Sequence, residues 1–340
     1  MLKDITVSCS PHISSPFSTR RVMADVIIAL IPAMAFAGYY FRFYALALIS
    51  TCIISAVATE WLCNIIRKKP NPLDSLGDLS AVVTGIILAL SVPPSLPIWA
   101  AVIGSAFSIA IGKMVFGGLG ANIFNPAMVG RAFLTASFGM LMTTWTVPAT
   151  IDPAMPQISA ENTLNARTQA TPLAWSKQAI KNEAGSEIVD DQLKYIFYGE
   201  VGGCLGETSA LALLIGAVYL FIRRTINIHI PLAVLLSGFV FSATAYLINP
   251  DVYISPVTHL VSGGLLICAF FIATDPVTAP LTKRGMWIFG IGVGTITMLI
   301  RIVGEYPGGV MYSVLLMNAV TPLIDRFCKK TPAGGKPNVQ

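Results

Sequence analysis

Long apolar runs are the feature that most constrains this chain. They recur from residue 22 to residue 326, at lengths that suit a hydrocarbon core of about 30 Å, which a helix of roughly 20 residues crosses. Of the 340 residues, 54% are hydrophobic and only 11% are charged, whereas about 25% are charged in ordinary soluble domains. We therefore predict an all-α polytopic membrane protein, held in a lipid bilayer by about ten transmembrane helices. The predicted spans lie at about 22–41, 43–64, 79–92, 98–116, 128–145, 207–222, 230–248, 259–273, 286–302 and 309–326.

Basic side chains cluster between the predicted spans and orient them. The clusters are Arg20 with Arg21, Arg67 to Lys69, Arg223 with Arg224, Lys283 with Arg284, and Arg326 with Lys329 and Lys330. With a cytoplasmic N-terminus, every cluster falls on the cytoplasmic side, as the positive-inside rule requires. The net charge of +5 therefore reflects membrane orientation and does not indicate nucleic acid binding.

This orientation predicts the organisation of the chain. A cytoplasmic N-terminal segment (1–21) precedes a first five-helix membrane repeat (22–145), an extracytoplasmic loop (146–205), a second five-helix repeat (206–326) and a cytoplasmic tail (327–340). In the loop, acidic residues outnumber basic ones, which suits the outer face. The N-terminus carries Asp4 and His12 before the first apolar run and lacks a small-residue cleavage site, so we expect the first span to be retained.

The two halves of the chain resemble each other weakly. The segment TGIILALSVPPSLP of the third span is echoed by GGLLICAFFIATDPVTAP of the eighth. Because five spans separate these segments, the copies run in opposite directions, and we expect an inverted 5+5 repeat in which broken helices meet near the midplane. Both segments end in prolines, which stop a helix. Convergence of apolar segments that end in Pro and Gly is the alternative.

Cysteine and histidine patterns exclude several kinds of site. The 6 Cys are scattered singly and are typical of small core residues, so we expect no iron–sulfur cluster held by this chain alone. The 3 His lie far apart in sequence, and we predict no metal site. The glycine pairs form neither a P-loop nor a dinucleotide-binding fingerprint.

The segment NARTQATPLAW (165–175) lies at the centre of the long loop. Thr171 precedes Pro172, and a residue before proline is pushed toward extended backbone, which leaves its hydroxyl open to a modifying enzyme. Taken alone, such a threonine is usually an unmodified turn residue. The stretch nevertheless resembles the flavinylation motif of the NqrB/RnfD family of membrane subunits. In that motif an acidic residue, two variable residues, Ser or Thr, Gly and Ala precede a Thr that carries FMN through a phosphoester bond.

The match to this motif has two departures. Thr168, Ala170, Thr171 and Pro172 agree with it, whereas Asn165 replaces the acid and Gln169 replaces the glycine. Both departures bear on recognition by the family's flavin transferase. Four longer segments also resemble the family in the same order: 117–133, 206–217, 270–280 and 308–326.

The resemblance implies an electron-transfer subunit, not catalytic on its own, of the Rnf complex in a bacterial or archaeal cytoplasmic membrane. That complex couples electron flow between ferredoxin and NAD to Na⁺ or H⁺ translocation. Covalent FMN on Thr171 would take electrons from a neighbouring FMN-bearing subunit, and a noncovalent flavin such as riboflavin would be a second cofactor. Expected partners are the other membrane, flavin and iron–sulfur subunits. Two alternatives remain: a channel or secondary transporter for a small solute, and a scaffold subunit whose motif has decayed.

Four further residues are candidates for contact with a cofactor or an ion. A charge at membrane depth costs about 3 kcal/mol or more unless it is paired or reaches the interface. Arg131 is therefore either a cation near a flavin or in an ion path, or an arginine that snorkels to the membrane interface. Glu207 and Thr208 read as flavin contacts or as part of a helix cap, a role that Ser209 would fill equally. Asp275 reads as an ion contact or an ordinary polar terminus. Interface positions are the simplest explanation of the remaining charges at membrane depth: Asp25, Glu60 and Lys113.

Overall fold

The computed structural model describes residues 18–145, 173–174, 197, 202–207, 209–250, 252–304 and 308–329. Every regular element within these ranges is helical. The α-helices are α1 (Thr19–Ile66), α2 (Ser80–Leu90), α3 (Ile98–Ile109), α4 (Pro126–Ser137), α5 (Gly139–Met142), α6 (Ala210–Ile222), α7 (His229–Ile248), α8 (Pro256–Val261), α9 (Leu265–Ile267), α10 (Lys283–Ile302) and α11 (Val310–Phe327). Short 3₁₀ turns lie at Asp74–Asp78 and Leu205–Glu207, and π-helical turns at Ala110–Met114 and Cys268–Ile272.

Helix α1 is 48 residues long and consists of two helices joined at a kink. Arg42 adopts φ 57° and ψ −147° inside it, a backbone conformation that non-glycine residues rarely take. The break falls between the first two predicted spans, so each part of α1 corresponds to one of them.

The lengths and compositions of the helices agree with a membrane protein. Among the described residues, α1, α7 and α10 are long and apolar enough to cross a membrane, and α2, α6 and the continuous stretch Ile98–Met114 are shorter apolar helices. A helix lies within each predicted span. The number of crossings, the inverted repeat and the domain boundaries stay predictions.

The eighth predicted span contains a break that its proline pattern did not predict. Helix α8 ends at Val261, Ser262 takes extended backbone (ψ 140°), and Gly263 takes φ 66°. Glycine populates this left-handed region at little cost, so the chain turns here before α9 and the π-turn continue the span. The helix is therefore interrupted at the turn Ser262–Gly264, and the backbone of this turn lies beside the candidate site described below.

The charges at membrane depth are buried inside the protein, and their interface position stays a prediction. Asp25, Glu60 and Lys113 are all buried. The Lys113 Nζ lies 2.7 Å from Glu60 Oε2 and donates to Ser80 Oγ at 2.6 Å. Asp25 accepts hydrogen bonds from Tyr219, Arg223 and Thr225. These carboxylates tie sequence-distant helices together, because a buried charge is tolerated when a partner meets it.

Candidate functional site

A cleft beside α4 brings together two of the predicted site residues, Arg131 and Glu207. It is a partly open cleft rather than an enclosed cavity. The cleft is lined by Arg131, Thr135, Met142, Thr143, Trp145, Leu173, Glu207, Gly264, Gly308, Val310, Met311 and Tyr312. We call it the Arg131 cleft.

Arg131 is presented to this cleft by a well-capped helix. The Asn125 side chain accepts from the amides of Ala127 and Met128 at 3.1 and 3.4 Å and so caps α4. The Arg131 Nη2 then lies 4.0 Å from Glu207 Oε1 and 3.5 Å from Cys204 Sγ. Arg131 is therefore paired with the Glu207 carboxylate across the cleft wall. Because the two groups are 4.0 Å apart, N–H groups of the guanidinium remain able to donate to a bound ligand.

Glu207 is held by a turn packed against α2. The amide of Leu205 donates to Val92 O at 3.1 Å, and a Cβ on Gly206 would lie 2.8 Å from Leu90 O, so only glycine permits this close approach. The Glu207 Oε2 accepts from the Cys204 amide at 3.4 Å. Its other carboxylate oxygen faces Arg131.

The cap of α6 is Ser209. Its hydroxyl accepts from the Ala212 amide at 3.3 Å, which satisfies one of the free amides at the start of the helix. Glu207 is therefore free of the capping role, while Thr208 lies outside the described residues.

The predicted modification site itself, with Thr168, Ala170, Thr171 and Pro172, lies outside the described residues. Leu173, two positions after Thr171, is described and lines the Arg131 cleft. Its side chain is 7% exposed, and its Cδ1 lies 2.5 Å from the point that a Cβ on Gly263 would occupy. The missing side chain of Gly263 thus makes the space in which Leu173 sits.

Arg301 is a residue near this cleft that the sequence reasoning missed. It lies in the last turn of α10 and is 2% exposed. Its Nη1 donates to His259 O at 2.7 Å and its Nη2 to Ser262 O at 3.1 Å. An arginine inside a predicted span is a signal that could have found it.

A second cavity lies between the two halves of the chain. Its walls are mostly apolar and its polar residues include Ser80, Lys113, Asn122, Asn125 and Asp275. The Oδ1 of Asn122 has no hydrogen-bond partner among the described residues, although it is buried. We call this space the Lys113 cavity.

Asp275 faces the Lys113 cavity from the connection that follows the second π-turn. Its carboxylate accepts from the Val277 amide at 3.3 Å and from the Thr278 hydroxyl at 3.1 Å. Burial raises the pKa of the Asp275 carboxyl, and these hydrogen bonds oppose that rise. Among the described residues there is no group of His, Cys, Asp and Glu that could hold a metal ion.

Comparison with known proteins gives consistent matches over nearly the whole chain. The sequence model of the NQR2, RnfD, RnfE family matches residues 6–334. The D subunit of the Na(+)-translocating ferredoxin:NAD(+) oxidoreductase complex of Acetobacterium woodii is 46% identical over 328 residues, 96% of this chain and 94% of that protein.

Two other relatives carry related names. The D subunit of the proton-translocating ferredoxin:NAD(+) oxidoreductase complex of Clostridium ljungdahlii is 40% identical, over 97% of this chain and 96% of that protein. The D subunit of the ion-translocating oxidoreductase complex of Cronobacter sakazakii is 38% identical, over 95% of this chain and 97% of that protein. The ion named differs between these relatives, so similarity leaves the ion undecided.

Proposed function

This chain belongs to the NQR2, RnfD, RnfE family, and on that premise we propose that it carries electrons within an ion-translocating ferredoxin:NAD oxidoreductase complex. Its relatives are the D subunits of such complexes. In the proposal the protein bears covalent FMN on Thr171 and lies in a cytoplasmic membrane, with both termini inside and the 146–205 loop outside. A neighbouring FMN-bearing subunit passes electrons to it, and a flavin transferase attaches the FMN.

The observation that carries the FMN proposal is the position of Leu173. Leu173 lines the same cleft as Arg131 and Glu207, and two residues of fully extended chain span at most about 7 Å. A flavin phosphate on Thr171 would therefore be tethered within that chain length of Leu173. The motif proposed from sequence and the cleft found in the structure thus support each other.

The chemistry of the Arg131 cleft fits a flavin. Trp145 and Tyr312 offer aromatic surface for a planar ring, and Arg131 offers a cation. A Cβ on Gly264 would lie 3.1 Å from Glu207 Oε1 and 3.9 Å from Arg131 Nη1, so glycine lets these two side chains lie close to the turn. FMN would supply one-electron and two-electron chemistry, while these residues would bind and orient it.

The Lys113 cavity is the place we propose for a second, noncovalent flavin such as riboflavin. Its walls are mostly apolar and carry a few polar groups, as those of small-molecule sites are. The unpartnered Oδ1 of buried Asn122 calls for a donor, because buried polar atoms rarely stay without one. The N–H edge of an isoalloxazine ring would satisfy it.

Ion coupling needs a membrane element with two arrangements, and we propose the broken spans for this role. An electron adds negative charge, which would favour entry of a cation from one side. Asp275 and the proline ends of the third and eighth spans are the residues to test. Ion pumping that continues unchanged after substitutions throughout these positions would show that the coupling element lies elsewhere.

Covalent FMN is tested by denaturing the purified chain from cells that contain the flavin transferase and illuminating the gel with ultraviolet light. We expect a fluorescent band that Thr171→Ala abolishes and that Thr163→Ala, in the same loop, retains. Restoring the motif with Asn165→Asp and Gln169→Gly should keep or increase the fluorescence.

A dark wild-type band would contradict the covalent cofactor. If the restored motif is also dark, the channel or transporter alternative is favoured. If only the restored motif fluoresces, the chain is a scaffold subunit whose motif has decayed.

A further inference from the structure

Two cations, Arg131 and Arg301, approach the turn Ser262–Gly264. On the side of the Arg131 cleft, a Cβ on Gly264 would lie 3.9 Å from Arg131 Nη1. The guanidinium of Arg301 donates to Ser262 O and His259 O. The point that a Cβ on Gly263 would occupy is 3.1 Å from Arg301 Nη2 and 2.5 Å from Leu173 Cδ1. Arg301 and Leu173 therefore meet at the same glycine.

Within the part of the chain that the structure describes, positive charge exceeds negative charge around this turn. Arg131 and Arg301 are accompanied by one carboxylate, Glu207, among the described residues that line the cleft or the turn. Glu207 lies within 4.0 Å of Arg131, whereas no described carboxylate forms such a pair with Arg301. The Arg301 Nε also has no partner among the described residues.

Among the described residues, carbonyl oxygens and not a carboxylate contact the Arg301 guanidinium. A buried cation in a membrane helix is normally neutralised by a partner or serves a function. The last turn of a helix favours a cation, but the Arg301 Nη atoms donate to carbonyls of α8 and of the turn rather than to the end of α10. The guanidinium thus holds the wall of the Arg131 cleft and adds a charge behind it.

We propose that Arg301 is a positioning residue whose buried charge raises the reduction potential of the flavin held in the Arg131 cleft. The inference rests on the proposed function, since it requires a flavin on Thr171. The flavin gains an electron that a reductant loses, and the cation stabilises the added negative charge. At an effective dielectric constant near 20, one unit charge at a separation on the order of 10 Å changes a one-electron equilibrium about tenfold, or about 59 mV.

The test is a reductive titration of the full-length chain, purified in detergent after coexpression with the flavin transferase. Dithionite is the reductant, mediator dyes equilibrate the sample, and the absorbance of the covalent flavin is followed. Arg301→Met should lower the equilibrium constant for the first electron about tenfold, whereas Arg301→Lys, which keeps the charge, should stay near the wild type. Lys283→Met removes a charge from the exposed start of the same helix, about 27 Å away at 1.5 Å per residue, and should have no effect.

Glu207→Gln supplies a test of opposite sign, because it removes the negative charge and should raise the potential. If Arg301→Met fails to accumulate, Arg301→Gln, which loses the charge and keeps amide donors for the two carbonyls, takes its place. An unchanged potential in a fully flavinylated Arg301→Met, equal decreases in the Met and Lys variants, or an unchanged or lower potential in Glu207→Gln would overturn the inference. A dark wild-type band would instead defeat the proposed function, so the two failures are distinguishable.

Discussion

The buried pair Lys113–Glu60 allows a quantitative prediction. The side chains are 2% and 1% exposed and their charged atoms are 2.7 Å apart, so solvent does not screen them. Replacing Glu60 by Met leaves the Lys113 ammonium with Ser80 Oγ as its remaining described partner. Breaking a buried pair in this way costs about 3–5 kcal/mol, whereas replacing both members by apolar residues is often neutral or stabilising.

We therefore expect Glu60→Met to lower the free energy of unfolding by about 3–5 kcal/mol and Glu60→Met/Lys113→Met to recover most of it. The measurement is a double-mutant cycle by chemical unfolding in detergent micelles, followed by circular dichroism. Met nearly matches the volume and length of both side chains, so the charges are the main change.

The pair Asp25–Arg223 is the control for this cycle. Its side chains are 5% and 41% exposed, and pairs with a solvent-exposed member couple by less than about 1 kcal/mol. If Glu60 and Lys113 couple as weakly as Asp25 and Arg223, the argument from burial is refuted.

Two further predictions concern helix packing and capping. Gly130→Ala should destabilise the protein by about 1–3 kcal/mol in chemical unfolding, because the new Cβ would collide with Ser108 Oγ and lie 2.8 Å from the Gly104 carbonyl. The control is Gly139→Ala, which has open space around the new Cβ and should have little effect. Equal losses of stability in the two variants would contradict the packing argument. Ser209→Ala should cost about 1 kcal/mol by removing the cap of α6; an unchanged unfolding midpoint would show that another group caps this helix.

Local patterns made part of the structure predictable. Apolar runs and their lengths indicated helices, and each predicted span contains one. The Arg131 and Glu207 candidates could be named because an arginine at membrane depth and an acid beside glycines stand out in an apolar chain. Their meeting at 4.0 Å was not predictable, since it depends on how helices far apart in sequence pack.

Other features had no local signal strong enough to predict them. Arg42 takes a left-handed φ without a glycine or proline beside it. Lys113 and Glu60 are separated by 53 residues, and only tertiary packing makes them partners. The turn at Gly263 falls inside an apolar run whose prolines pointed to a break at its end instead.

The seating of Leu173 against Gly263 has a consequence for how the protein matures. An anchor two residues from an acceptor threonine restricts how far that threonine can move toward a transferase active site. On the proposed function, the transferase must act before Leu173 docks, or else must extract it from its socket. The rate at which newly made chains acquire FMN would then depend on how long Leu173 stays undocked, rather than on the reactivity of the Thr171 hydroxyl.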